Sequence, residues 1–198
     1  MFTKNGLVKK SKFSDYDSRN QVLVAINLLD NDEVVAVRQT TGDSDLMMLT
    51  QKGMGIRFDE KDVRPTGRAS QGVRGIKLRD GDSVVSAAVA DEAEEVLLLT
   101  SGGYGKRIKM SEFRVQKRGG VGVISMKLTK VRGVVAAARA VSAADEVVVT
   151  SSDGIVMRAA AKSISRQKRP STGVKVMNLS DGALLSALAV VPTEDDEQ

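Results

Sequence analysis

The sequence predicts an all-β, propeller-like array of about four repeats, each built from four short strands. Three observations point there. Apolar runs recur about fifty residues apart, starting at Val34 (VVAVRQT), Val84 (VVSAAVA), Val134 (VVAAARAV) and Leu184 (LLSALAVV). The runs are short, rich in β-branched residues and separated by glycine, aspartate and serine turns, which is a strand pattern. No segment sustains the 3.6-residue period of a long amphipathic helix. Four short strands in about fifty residues is the arithmetic of one propeller blade, a unit that buries its two faces against its neighbours.

Within each unit the elements follow a fixed order. A second set of runs ends in threonine, at Thr3 (MFT), Thr50 (LMMLT), Thr100 (VLLLT) and Thr150 (VVVT). These are almost wholly apolar, as expected of strands covered on both faces. A glycine turn follows at Gly6, Gly53, Gly103 and Gly154, and then a strand of mixed apolar and basic residues whose cations are expected to face solvent or a ligand. After a loop comes a fourth element: 25–28 (AINL), 75–78 (GIKL), 125–128 (SMKL) and 176–179 (VMNL). Asp-Gly turns at 79–82 and 180–182 close two units. The repeats fall at about 1–32, 33–82, 83–132 and 133–182, with a final first-type strand at 184–191. Together they form one domain over 1–192. Pro192 ends it, and 193–198 is expected to be a disordered acidic tail. The first unit has no counterpart of Val34–Thr40 ahead of it, and its second strand is cut to three residues. The expectation is therefore a piece of a longer array. The strand at 184–191 either pairs with the N-terminal unit and closes a ring, or belongs to the C-terminal end of that array.

Composition narrows the function. Of the 198 residues 41% are hydrophobic, enough for a substantial core. No apolar run reaches the roughly 18–20 residues of a membrane span, and residues 1–11 lack the long apolar stretch of a signal peptide. Cysteine and histidine are both absent. That excludes disulfides, thiolate and imidazole metal sites and the commonest nucleophile–base pairs. Net charge is +5 although Glu194, Asp195, Asp196 and Glu197 crowd the last five positions. A basic body with an acidic tail suits a polyanionic partner. Aromatics are 3% with no tryptophan, which argues against readers that stack bases on aromatic platforms.

Residues 116–122, QKRGGVG, combine charge with backbone freedom. Lys117 and Arg118 offer donors to phosphate oxygens. Gly119 and Gly120 let backbone N–H groups approach an anion, and Gly122 turns the chain into the next strand. Gln116 opens the loop. One repeat later Gln167, Lys168 and Arg169 occupy the same slot, followed by Pro170. Other cations recur at matched places: Lys9, Arg57, Lys106 with Arg107, and Arg158 after the glycine turn; Lys12, Lys61, Lys109 and Lys162 a little later; Arg68 in the loop slot. On a disc, equivalent positions fall on one rim, and a basic rim contacts phosphates rather than base edges. Tyr16 and Tyr104 lack the context of a DNA-cleaving nucleophile and read as packing or rim residues. Gly103–Lys106 has no Walker pattern, and Met47-Met48 reads as core.

QKRGGVG resembles the A-box of the DNA gyrase A subunit, Q-R/K-R-G-G-R/K-G, at six of seven positions. Val121 stands where that family has a cation, and the loop lies in the third repeat rather than the first. NGLVKK (5–10), TGRASQGVRGIKL (66–78), GGYGKRI (102–108) and SSDGIVMR (151–158) extend the likeness to the later blades of the gyrase A C-terminal domain, over nearly the whole chain. The resemblance implies a β-pinwheel, a disc usually of six blades in which neighbouring blades exchange a strand. It implies sequence-nonspecific binding and wrapping of double-stranded DNA, in support of negative supercoiling by an ATP-dependent type II topoisomerase. The partners implied are the gyrase A N-terminal cleavage domain and the gyrase B subunit, in a bacterial cytoplasmic, nucleoid-associated enzyme. No cofactor is implied in this chain, since ATP and Mg2+ act elsewhere in the parent, and no catalysis by this chain alone. Two other readings stay open: the related topoisomerase IV A-subunit domain, which binds and bends DNA without full wrapping, and a protein-interaction propeller.

Overall fold

The computed structural model describes residues 1–90 and 93–191. Among these residues, fifteen strands form four antiparallel sheets. The first sheet holds β1 (Phe2–Thr3), β2 (Leu7–Val8), β3 (Val34–Ala36) and β6 (Val73–Arg74). The second holds β4 (Asp45–Thr50), β5 (Met54–Asp59), β7 (Val84–Val89) and β10 (Val123–Ile124). The third holds β8 (Glu95–Thr100), β9 (Tyr104–Lys109), β11 (Val135–Val141) and β14 (Val174–Lys175). The fourth holds β12 (Glu146–Ser151), β13 (Val156–Ala160) and β15 (Leu185–Val191).

No sheet is made from one sequence repeat. The outer strand of each of the first three comes from the next repeat along the chain: β6 on β2, β10 on β5 and β14 on β9. Each exchange is fastened the same way. The amides of Gly75 and Ile76 donate to the Gly6 carbonyl, those of Ser125 and Met126 to Gly53, and those of Val176 and Met177 to Gly103. Gly6, Gly53 and Gly103 hold φ of +86°, +76° and +79°. A Cβ on Gly53 would stand 2.5 Å from the Met126 carbonyl oxygen. Only glycine takes this backbone and lets the incoming strand approach. The fourth sheet has three strands among the described residues: β12 and β13 of the fourth repeat and β15 from the final strand, with no exchanged strand on β13. Gly154 keeps the same backbone, φ +84°, with nothing within 4 Å of its Cβ position. Leu185–Val191 pairs with β12, not with the N-terminal unit. Ring closure through that strand is thereby corrected: its register matches Val147 to Val190 and Val149 to Leu188. The acidic tail at 193–198 lies outside the described residues.

The core is three shared layers, one between each pair of sheets. Alternate residues of one strand feed two layers: Leu46 and Met48 of β4 enter the first, Met47 and Leu49 the second. In β8, Val96 and Leu98 enter the second and Leu97 and Leu99 the third. That double coverage is why the threonine-ended runs are continuously apolar. Each fully buried side chain of this size contributes about 1.5–3 kcal/mol. β3, β7, β11 and β15 lie against one another in sequence order and so line the inside of the arc. The two-residue exchanged strands lie at the opposite end of the first three sheets and form their outer edge, and β13 takes that place in the fourth.

Candidate nucleic-acid interface

The outer edge is built by a repeated set of backbone contacts. After each mixed strand a short 3-10 turn leads into a loop, 66–72, 116–122 or 167–173. The first amide of each loop docks on the preceding repeat: Thr66 donates to the Lys10 carbonyl (2.8 Å), Gln116 to Arg57 (2.9 Å) and Gln167 to Arg107 (2.9 Å). Each loop then takes a hydrogen bond from that repeat's fourth element. Asn27 donates to the Ser70 carbonyl, Lys77 to Gly120 and Lys127 to Ser171. Three loops therefore sit in one series along the edge, at the same height on successive blades. Gly119 (φ +80°) makes the turn within QKRGG.

The cations of this edge divide by burial. Lys117 and Lys168 are exposed at matched positions, as are Lys12, Lys109 and Lys162. Lys61 is exposed and pairs with Asp43 (2.5 Å). Arg118 and Arg169, half-buried, turn inward: Arg118 donates to the carbonyls of Asp62 (2.7 Å) and Arg74 (2.9 Å), and Arg169 to that of Ile124 (3.0 Å). Arg169 also lies over the Phe113 ring. These two tie each loop to the exchanged strand of the previous blade. Gln116 is half-buried, and its side-chain Nε2 has no hydrogen-bond partner among the described residues. Gly120 and Gly122 flank Ile56 of β5. Arg68 is half-buried in its loop.

The expectation that every cation after the glycine turn faces outward is corrected. Lys9, Lys106 and Arg107 are buried, at 3%, 0% and 7% exposure. Lys9 donates to Ser11 Oγ and to the Ala25 carbonyl. Arg107 pairs with Glu95 of β8 and donates to the carbonyls of Ile164 and Lys162 in the next repeat. Arg57 pairs with Asp45 (2.7 Å) and reaches the Met110 carbonyl, and Arg158 pairs with Glu146. Lys10 holds the same register and binds Glu60 (2.8 Å). The physical reason is hairpin geometry. Met47, Leu97 and Val148 face Arg57, Arg107 and Arg158 across each hairpin, so the acid two residues earlier lies on the same face. Lys10, Arg57 and Arg107 bind blade to blade, whereas Lys9 is held within its own repeat and Arg158, exposed, pairs within its hairpin.

Two titrating groups report the strength of that joinery. Burial alone pushes the Glu60 carboxyl up, but hydrogen bonds from Lys10, the Ser44 amide, Thr40 and the Gly42 amide outweigh it and hold the carboxyl down at about 2. Burial pulls the Lys106 ammonium down to about 8, opposed by Glu112 and assisted by Arg169, so it remains protonated at neutral pH. Tyr104 is half-buried beneath Arg132 and Lys175, whose charges lie 4.6 and 4.7 Å from the ring centre.

The structure adds exposed cations beyond those that the repeat spacing picks out. Arg74 and Lys175 project from the exchanged strands, and Lys77 and Lys127 lie just beyond them. The signal was present in the paired segments GIKL and SMKL, where lysine holds the same place. Arg64 and Arg114, also matched and exposed, precede the loops.

Similarity to known proteins follows the same repeats. A family model described as "DNA gyrase C-terminal domain, beta-propeller" matches residues 1–41, 44–91, 94–142 and 145–192. The DNA gyrase A subunit of Mycobacterium bovis is 42% identical over 190 residues, covering 94% of this chain and 23% of that protein. The Mycolicibacterium smegmatis protein of the same name is 40% identical over 197 residues, 98% of this chain and 23% of its own length. The chain thus spans about a quarter of these curated relatives. A solved DNA gyrase A C-terminal domain superposes with a TM-score of 0.86 at 32% identity, over 96% of this chain and 64% of that one. A DNA topoisomerase IV C-terminal domain superposes with a TM-score of 0.90 at 26% identity, over 96% of this chain and 60% of that one.

Proposed function

The chain belongs to the family of DNA gyrase C-terminal domains, and from that membership we propose that its outer edge binds and wraps double-stranded DNA without reading sequence. The observation that carries this reading is the repetition of exposed cations at matched heights. Lys117 and Lys168 stand in the loops, Arg74 and Lys175 on the exchanged strands, and Lys77 and Lys127 beside them. A curved row of this kind follows a bent phosphate backbone and presents nothing that discriminates base edges. Bending a short duplex site costs about 1–6 kcal/mol, so many phosphate contacts must offset it. Lys12, Lys61, Arg68, Lys109, Arg158 and Lys162 belong to the same proposed contact set. Gln116, Arg118, Gly119, Gly120, Gly122 and Arg169 shape the loops that carry it.

In this reading the domain serves an ATP-dependent type II topoisomerase, acting beside a gyrase A cleavage domain and a gyrase B subunit in a bacterial cell. Wrapping presents a neighbouring DNA segment with fixed handedness, and strand passage elsewhere in the enzyme yields negative supercoils. A second reading, the topoisomerase IV form that bends without full wrapping, is favoured by the TM-score of 0.90 to that domain and by Val121 in the loop. Titrating random-sequence duplexes against salt tests the common part. Affinity should fall with a log–log slope of about −0.9 per phosphate neutralised, alike for unrelated sequences. Binding that ignores salt, or that is absent at low salt, overturns it. Relaxing a plasmid in the presence of the protein then separates the two readings: wrapping leaves retained linking-number change, and bending alone leaves none.

A further inference from the structure

Two loops of the edge share the start Gln-Lys-Arg but close differently. In 116–120 the turn is made by Gly119 at φ +80° followed by Gly120, with Ile56 of β5 beneath, its Cδ1 3.8 Å from the Gly120 Cβ position. In 167–171 these glycines are replaced by Pro170 and Ser171. Proline fixes φ near −65° and brings no N–H, so the glycine solution is closed to this loop. The residue beneath it changes too. Where the second sheet has Ile56 and the fourth Met157, the third has Lys106, fully buried, and the first has Lys9, also buried but directed to Ser11 and Ala25. Its Nζ donates to the carbonyls of Lys168 (2.9 Å), Arg169 (2.5 Å) and Ser171 (3.0 Å) and contacts Ser171 Oγ (3.0 Å). Four oxygens surrounding one ammonium leave that loop little freedom, because the hydrogen bonds are charge-assisted and lie in a site removed from water.

We propose that Lys106 is a positioning residue: its ammonium gathers the loop carbonyls and holds the 167–171 loop so that Lys168 projects where Lys117 projects one blade earlier. The inference rests on the DNA-binding reading of the edge. Of the sibling strands, those of the second and fourth sheets carry apolar Ile56 and Met157 at that place, and that of the first carries buried Lys9, whose ammonium donates to Ser11 Oγ and the Ala25 carbonyl rather than to a carbonyl of the 66–72 loop. Lysine beneath the loop replaces glycine within it.

The test compares Lys106→Met, Lys168→Ala and the double variant, using amide hydrogen exchange and binding of a random-sequence duplex across a salt series. Methionine already occupies this register at Met157, which favours a folded variant. Lys106→Gln, which keeps a donor, serves as the second variant and should protect the loop to an intermediate degree. Lys106→Met should speed exchange in 167–173 by about tenfold or more while leaving 116–122 unchanged. It should weaken duplex binding as much as Lys168→Ala does, each lowering the salt slope by about one contact, and the double variant should bind no more weakly than Lys168→Ala. Unchanged exchange in 167–173, or losses that add in the double variant, overturns the proposal. If Lys168→Ala leaves affinity and slope intact, the DNA reading of this loop fails and the positioning role falls with it, even where exchange responds to Lys106→Met.

Discussion

Arg107 and Lys117 carry the same charge and meet opposite fates. Arg107 is buried against Glu95 and two carbonyls of the next repeat, whereas Lys117 points into solvent. Replacing Arg107 by methionine leaves the Glu95 carboxylate buried with Arg166 (3.3 Å) as its remaining cation among the described residues, and should cost about 3–5 kcal/mol in urea unfolding. Lys117→Ala should change stability by less than about 0.5 kcal/mol and weaken duplex binding equally for all sequences. Spacing revealed that cations recur but not which are paired, because pairing depends on which face of a hairpin each occupies. The partner acids Asp45, Glu95 and Glu146, each opening a threonine-ended strand, were the unread clue. Glu60 gives a pH dependence. Its carboxyl is held at about 2 against an ordinary 4.5, so the stabilisation it gives is complete above pH 4.5 and drains away as pH falls toward 2. Glu60→Gln should lower stability by on the order of 2–3 kcal/mol at neutral pH, and urea midpoints of variant and parent should converge near pH 2.

At the scale of the element, glycines separate a joint that is filled from one that is bare. Gly53 and Gly154 share a left-handed backbone, at φ +76° and +84°, but Gly53 receives an exchanged strand and Gly154 has open space. Gly154→Ala should cost about 1–2 kcal/mol for backbone conformation alone. Gly53→Ala adds a collision with the Met126 carbonyl and the loss of two amide donors, and should cost roughly 3 kcal/mol or more; thermal melts of the two variants compare them directly. Strand existence and double-faced burial were legible, because LMMLT and VLLLT are continuous apolar runs with no polar face to offer water. The exchange could not be read from these runs. A two-residue strand such as Val73–Arg74 has the same local pattern whichever sheet receives it, and its partner β2 lies more than sixty residues away. The short β1 and β3 of the first sheet follow from the abbreviated MFT run.

Over the whole molecule, three apolar layers lie between sheets and the outer strand of each of the first three sheets is borrowed, so neighbouring repeats depend on one another twice. In stacked arrays without exchange, repeats couple only through their faces and can unfold in parts. Here the expectation is one cooperative transition. Tyr16 lies in the first repeat and Tyr104 in the third, with no tryptophan to mask them; tyrosine emission and far-UV circular dichroism should give coincident urea midpoints. Two resolved midpoints would show the repeats melting separately. The exchange bears equally on how such a chain changes length over generations. Because donor and acceptor lie one period apart, duplicating or deleting any window of about fifty residues, wherever its ends fall, restores every internal joint. Blade number is free to drift while each joint stays as it was, and among the described residues the sheet left wanting a strand is the last, where Ile155 and Val156 now lie exposed.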